Sequence, residues 1–343
     1  MDYVKKIEFG GMKGGHVQGI ATDKERRYMY FSFTTSLIKT DMQGNIIGSV
    51  KGLAGHLGCI AYNYEDGRVY GSLEFKHDII GADILRKYEN PEDIVDGFYV
   101  AIFDVDKIDR IDMDAEKDGI MTSVFLKEVY DDYSAEGHRY SCSGIDGLTF
   151  APAPASKEDK KYLYVAYGVY SNVDKTDNDN QVILKYDISD WSKYEKPLNQ
   201  LDMHRTGPEK PDNKYFLYTG NTNFGIQNLE FDAPTGYIFA AVYKGYKPSF
   251  PNYPMFVIDM NTEAKTGQIK GLEEEGEMLS LAEIGLKHEE TGVRGLNFPL
   301  GATGIISLGD GYFYFSRDVR FENGLFGSYV TLYKYENGEF TEA

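Results

Sequence analysis

The sequence predicts an all-β fold: a five-bladed β-propeller closed by its N-terminal strand, with six blades as the alternative. Three observations carry this reading. A short strand motif recurs five times, each copy is followed by a hairpin signal and an aromatic-rich strand, and a third strand then completes a meander. The composition agrees, because 28 Tyr and 20 Phe against one Trp suit pleated, half-buried surfaces.

The motif is a polar or small residue, usually a glycine, then Ile or Leu. It reads His16-Val17-Gln18-Gly19-Ile20, His56-Leu57-Gly58-Cys59-Ile60, Gly144-Ile145-Asp146-Gly147-Leu148, Gly225-Ile226-Gln227-Asn228-Leu229 and Ala302-Thr303-Gly304-Ile305. Glycine fits an innermost strand, where neighbouring backbones crowd the axis. Second strands are predicted at 28–34, 69–75, 162–168, 237–243 and 312–318, and third strands at 37–41, 99–104, 182–187, 256–259 and 329–335. Turns at Glu65-Asp66-Gly67, Pro234-Thr235-Gly236 and Gly309-Asp310-Gly311 join first to second strands. The fifth unit lacks chain for a fourth strand, so residues 3–9 are expected to supply it and remove the sheet edge. The copies are unevenly spaced, and the excess around residues 97–130 either adds outer strands to the second unit, which is preferred, or hides a sixth blade. One helix is expected from 83–87 and 91–95, with polar loops at 156–161, 175–180 and 209–213. With no dividing linker, residues 1–343 are read as one domain.

The chain of 343 residues is 42% hydrophobic and 26% charged, an ordinary globular balance. It has no apolar run long enough for a membrane span and starts without a signal-peptide core, which predicts a cytoplasmic protein unless a leader has been removed. A net charge of −18 argues against nucleic acid or an anionic membrane as partner and favours a small-molecule ligand. Cys59 and Cys142 are too few for a disulfide framework and are read as reduced. The sequence carries no signal for oligomeric state.

In a propeller, chain leading into first strands and leaving second strands meets at one face of the axis. That places His16, His56, Gln18, Asp146, Gln227, Glu74, Tyr243, Asp318 and Arg317 near one another, beneath long insertions at 76–96, 171–181 and 245–254. His16 and His56 hold matching positions; with Glu74 they form a candidate set for a divalent metal, the only cofactor the sequence suggests. Capping of the strand ends is the structural alternative. Glu74, Asp146 and His56 are the candidate catalytic groups, a carboxylate and imidazole set for acid–base work; otherwise Glu74 pairs with Lys76 or Arg317. Gln18, Tyr167, Gln227, Tyr243, Arg317 and Asp318 are the candidate substrate contacts, with packing as the plainer role for the tyrosines. The run Asp112, Asp114, Glu116, Asp118 resembles a calcium loop only faintly, since Lys117 stands where a glycine belongs.

The inner strands resemble those of plant- and bacterial-type glutaminyl cyclotransferases, a family of five-bladed propellers. The resemblance lies in Gln18-Gly19-Ile20, Asp146-Gly147-Leu148-Thr149 and Asn228-Leu229-Glu230-Phe231. It implies the blade count. It does not extend to the reaction, because the family's catalytic Glu precedes the glycine of the second inner strand, where this chain has Gly58-Cys59-Ile60, and its several tryptophans are reduced to Trp191. The functions left are an enzyme of hydrolase or lyase type acting on a small polar substrate such as a saccharide or modified peptide, a non-catalytic ligand-binding propeller, or a scaffold for protein partners.

Overall fold

The structure, a computed structural model, describes residues 3–13, 15–86 and 91–343. Its five inner strands are Val17–Thr22, His56–Asn63, Cys142–Ala151, Asn223–Asp232 and Ile305–Ser307, and each opens an antiparallel meander. We call these blades I to V. The inner strands neighbour one another in the cyclic order I, II, III, IV, V and back to I, which is a closed five-membered ring. Close approach explains the motif glycine: a Cβ on Gly19 would lie 2.8 Å from the backbone nitrogen of Ile60 in the next blade.

The second strands form as the aromatic runs predict, at Tyr28–Phe33, Arg68–Phe75, Tyr162–Val169, Tyr237–Tyr243 and Tyr312–Arg320. Hydrophobic burial then concentrates between blades rather than within them. Five clusters fill the five interfaces, for example Tyr30, Leu37 and Val50 of blade I against Leu57, Leu73 and Phe103 of blade II. Equivalent clusters join II to III, III to IV, IV to V and V to I.

The ring is closed by chain termini. Lys6–Met12 pairs antiparallel with Phe326–Glu336, the third strand of blade V, burying Ile7 and Phe9. The strand sits a few residues later than the 3–9 expected, and the C-terminal Glu339–Glu342 adds a short pairing at the other end of Phe326–Glu336. The stretch at 97–130 is no sixth blade. Gly97–Phe103 and Met121–Phe125 are the third and fourth strands of blade II.

Uneven repeat spacing has a structural cause. Three other inter-strand segments each send a short strand back to the outer edge of the preceding blade. Met113–Asp114 pairs with the edge of blade I, Lys196–Pro197 with that of blade II, and Glu275–Met278 with that of blade III. Covered edges do not recruit other chains.

The helical expectation is shifted. Helix α1 spans Ile79–Leu85, started by Asp78, whose Oδ1 accepts from the backbone nitrogens of Ile80 and Gly81 at 3.0 and 2.8 Å. Pro91–Asp93 is a single 3₁₀ turn, and Lys87 lies outside the described residues. A second helix, α2 at Lys127–Ser134, was not anticipated; Leu126, Val129 and Tyr133 bury its inner face. Among the described residues no helix is long and apolar enough to cross a membrane.

Candidate functional site

Four inner strands carry a β-bulge at the same motif position. The pairing with the second strand slips between Val17 and Gly19, Leu57 and Ile60, Ile145 and Leu148, and Ile226 and Asn228. A bulged residue loses its ladder partner and its side chain is re-aimed. The residues so released include Gln18, Gly58, Asp146 and Gln227, and the polar side chains among these four meet polar partners at the axis. Gln18 Nε2 lies 3.1 Å from His16 Nε2, and Gln227 Nε2 donates to Asp146 Oδ2 at 3.1 Å. Asn228, the next residue, donates to the carbonyl oxygens of Gln18 and Ala302 at 2.8 and 2.9 Å, tying blade IV to blades I and V.

Blade II is the exception, because Gly58 has no side chain to offer. A Cβ there would lie 2.5 Å from Ser72 Oγ and 3.4 Å from Asp146 Oδ1, so the inner strand of blade II packs directly against Ser72 and leaves no room for a side chain. His56 Nδ1 lies 3.7 Å from Glu74 Oε1 and 4.0 Å from Asp146 Oδ1. Both His56 Nδ1 and Ser72 Oγ are buried without a hydrogen-bond partner. Buried polar atoms without partners are uncommon and costly, so His56 Nδ1 beside Asp146 marks the place for a polar visitor.

Charge around the mouth is arranged by burial. Glu74 is 3% exposed and is held on both oxygens: Lys76 Nζ lies 2.7 Å from Oε1, and the backbone nitrogen of Ile145 donates to Oε2 at 3.0 Å. Lys76 also donates to the carbonyl of Ser143 at 2.7 Å. Burial works against the Lys76 charge, but Glu74, Asp78 and Asp146 outweigh it and keep the ammonium above the usual lysine range. Burial raises Glu74 despite Lys76. Asp146 is pushed well above the usual carboxylate range, first by burial and then by Glu74. His56 is lowered to about 3, by burial, then Lys76 and His16. His16 is lowered too, burial prevailing over nearby Asp318. Burial at the mouth therefore opposes charge on both imidazoles and on both carboxyls.

Most of the residues singled out in the sequence do converge. His16, Gln18, His56, Glu74, Asp146 and Gln227 share the mouth, and Asp318 joins them, accepting from the backbone nitrogen of Val17 at 3.2 Å. Tyr243 stands close enough to feel Asp146 and Asp318, and burial pushes its hydroxyl to about 12. Two residues lie elsewhere. Tyr167 is fully buried in the interface between blades II and III and donates to Asp132 at 2.7 Å. Arg317 is exposed, its guanidinium 5.7 Å from the ring of Tyr329 on the adjacent strand, because strand alternation sends it away from the face that Asp318 uses.

The metal set of His16, His56 and Glu74 needs correction. Among the described residues no group of three or more His, Cys, Asp or Glu side chains is disposed to hold a metal ion. The cation serving Glu74 is Lys76, the pairing that was the alternative. The acidic run at 112–118 is likewise spent locally: Asp114 accepts from the backbone nitrogens of Glu116 and Lys117, and Asp118 pairs with Arg110. Cys59 and Cys142 are free and buried, and burial pushes Cys59 to about 12, which suits packing rather than nucleophilic work. Sequence reasoning missed the close packing of Gly58 on Ser72. The signal was present, since Gly58 stands where the other repeats carry Gln18, Asp146, Gln227 and Thr303.

No family model and no curated protein matches the chain. Among solved structures it is similar to the holo form of the pyranose dehydrogenase PQQ domain from Coprinopsis cinerea, at 10% identity and a TM-score of 0.44, covering 91% of this chain and 81% of that one. It is also similar to the Cps50 (Swd1) β-propeller domain of Myceliophteria thermophila, at 8% identity and a TM-score of 0.32, covering 94% and 99%. At these values neither protein's activity transfers to this chain.

Proposed function

We propose that the axial mouth binds a small polar substrate, a saccharide or a modified peptide, and performs acid–base chemistry on a hydroxyl or amide seated against His56 and Asp146. The observation that carries this reading is the unpartnered His56 Nδ1, buried 4.0 Å from Asp146 Oδ1. Asp146, whose ionisation burial and Glu74 oppose, is the acid; His56, whose protonation burial and Lys76 oppose, holds the substrate by accepting a hydrogen bond at Nδ1. A proton passes from the Asp146 carboxyl to the substrate atom, and water entering the mouth restores it. Glu74 is a positioning residue, since Lys76 and Ile145 already occupy its oxygens. The same occupancy favours a second reading, ligand binding without turnover, because it leaves a single carboxyl for the chemistry. The inner-strand likeness to glutaminyl cyclotransferases enters this proposal as architecture only.

The test adds a methyl beside Asp146. Thermal-shift measurements with monosaccharides and with N-terminal glutaminyl dipeptides compare the natural protein with Gly58→Ala in a Ser72→Ala background, which removes the 2.5 Å collision. The Ser72→Ala single variant, which keeps His56 and Asp146, is the control. A probe that raises the melting temperature by a few degrees in the control and not in the Gly58→Ala variant supports the reading. Equal stabilisation of both, or none of either, contradicts it. Product formation from a binding probe then separates the enzyme from the receptor.

A further inference from the structure

The other end of the channel, where the inner strands leave the axis, holds a cavity of about 450 Å³ walled by all five blades. We infer that this cavity is a second binding site, independent of the acid–base mouth, and that its ligand is a neutral saccharide. Its volume is that of a small-molecule pocket. Aliphatic side chains of Ile20, Ile60 and Ile306 line it beside the rings of Tyr62, Tyr64, Phe150 and Phe231. Flat aromatic faces beside scattered polar groups match a sugar ring, which has apolar C–H faces and a polar rim of hydroxyls.

Glu230, Tyr62, Tyr64 and Lys161 keep polar atoms open to a ligand. Glu230 Oε1 accepts from the backbone nitrogen of Ser307 at 2.7 Å, and among the described residues nothing else bonds to that carboxyl. Burial raises Glu230 to about 8, so it presents an O–H donor at neutral pH. Tyr64, 53% exposed, stands beside Glu230 at the cavity wall. Neither its hydroxyl nor that of Tyr62 makes a hydrogen bond among the described residues. The Lys161 ammonium lies 4.5 Å from the Phe231 ring centroid, with no hydrogen bond or ion pair in the same set. Charge decides against an ionic ligand. Lys24, Arg26 and Lys161 offset Asp23, Glu65 and Asp159 around the cavity, and protonated Glu230 adds nothing, in a chain of net charge −18.

Isothermal titration of the full chain with D-glucose, N-acetylglucosamine, cellobiose, maltose and choline chloride tests the assignment. At least one sugar is expected to bind, and choline is not. Tyr64→Ala, at a half-exposed ring that the fold does not need, is expected to weaken the sugar about tenfold or more. Glu230→Ala is expected to weaken it as well, while Glu230→Gln, which still donates and accepts, retains most of the affinity. Gly58→Ala in the Ser72→Ala background changes it less than about twofold, because that pair lies at the other end. Binding of choline alone, binding by no sugar, or affinity untouched by Tyr64→Ala overturns the inference. Loss through the Gly58 variant instead moves the sugar to the acid–base mouth and also overturns it.

Discussion

At Asp146 the structure keeps a carboxyl that cannot easily ionise, since burial and Glu74 both oppose the charge. The folded chain holds a proton there that the unfolded chain releases, so this residue costs stability as pH rises above the ordinary carboxylate range. Asp146→Asn is isosteric and its amide oxygen still accepts from Gln227. It should therefore raise the melting temperature at pH 8, by a few degrees, and change it little at pH 4; an equal shift at both values contradicts the raised pKa. The polar identities of Gln18, Asp146 and Gln227 were visible in the repeat, and so was the axis they share. That His56 Nδ1 lacks a partner was not, because the hydrogen bonds around a side chain follow from packing and not from the repeat. Tyr167 and Tyr243 illustrate the converse: both end second strands, but which of them reaches the axis depends on register that aromatic content does not reveal.

Elements were legible where their period was short. The second strands followed from aromatic runs and turn glycines, and the closing strand from the missing fourth strand of blade V. Helix α2 escaped because its apolar positions, Leu126, Val129, Tyr130 and Tyr133, follow directly on the strand Met121–Phe125 and merge with its hydrophobic run. The short edge-pairing strands were invisible, since two to four residues carry no pattern of their own. The closing strand makes its own prediction. Phe9 is 1% exposed and stacks on Phe31 of blade I with centroids 5.2 Å apart, so it joins the last blade to the first. Phe9→Ala should cost about 3–5 kcal/mol in urea unfolding. A loss below about 1 kcal/mol would mean that the termini do not hold the ring together.

For the whole molecule, five interfaces of buried side chains hold a channel whose two ends differ in chemistry. One end gathers ionisable groups from every blade; the other is aromatic and near neutral in charge. The ring makes the first end possible, because His16, His56 and Asp146 are remote in sequence and meet only when blades I, II and III close around one axis. That convergence is the central claim, and the His56 imidazole reports on it directly. Its low pKa arises from burial and from Lys76 and His16, so it exists only in the closed ring. Between its ordinary value near 6.5 and about 3, the unfolded chain binds a proton that the folded chain refuses, and stability falls as pH falls through that window. The decisive measurement is an NMR titration of the histidine side chains, with His56 assigned by His56→Gln. His56 is predicted to stay neutral down to pH 4 while the protein remains folded; titration near 6.5 would contradict the buried, convergent mouth.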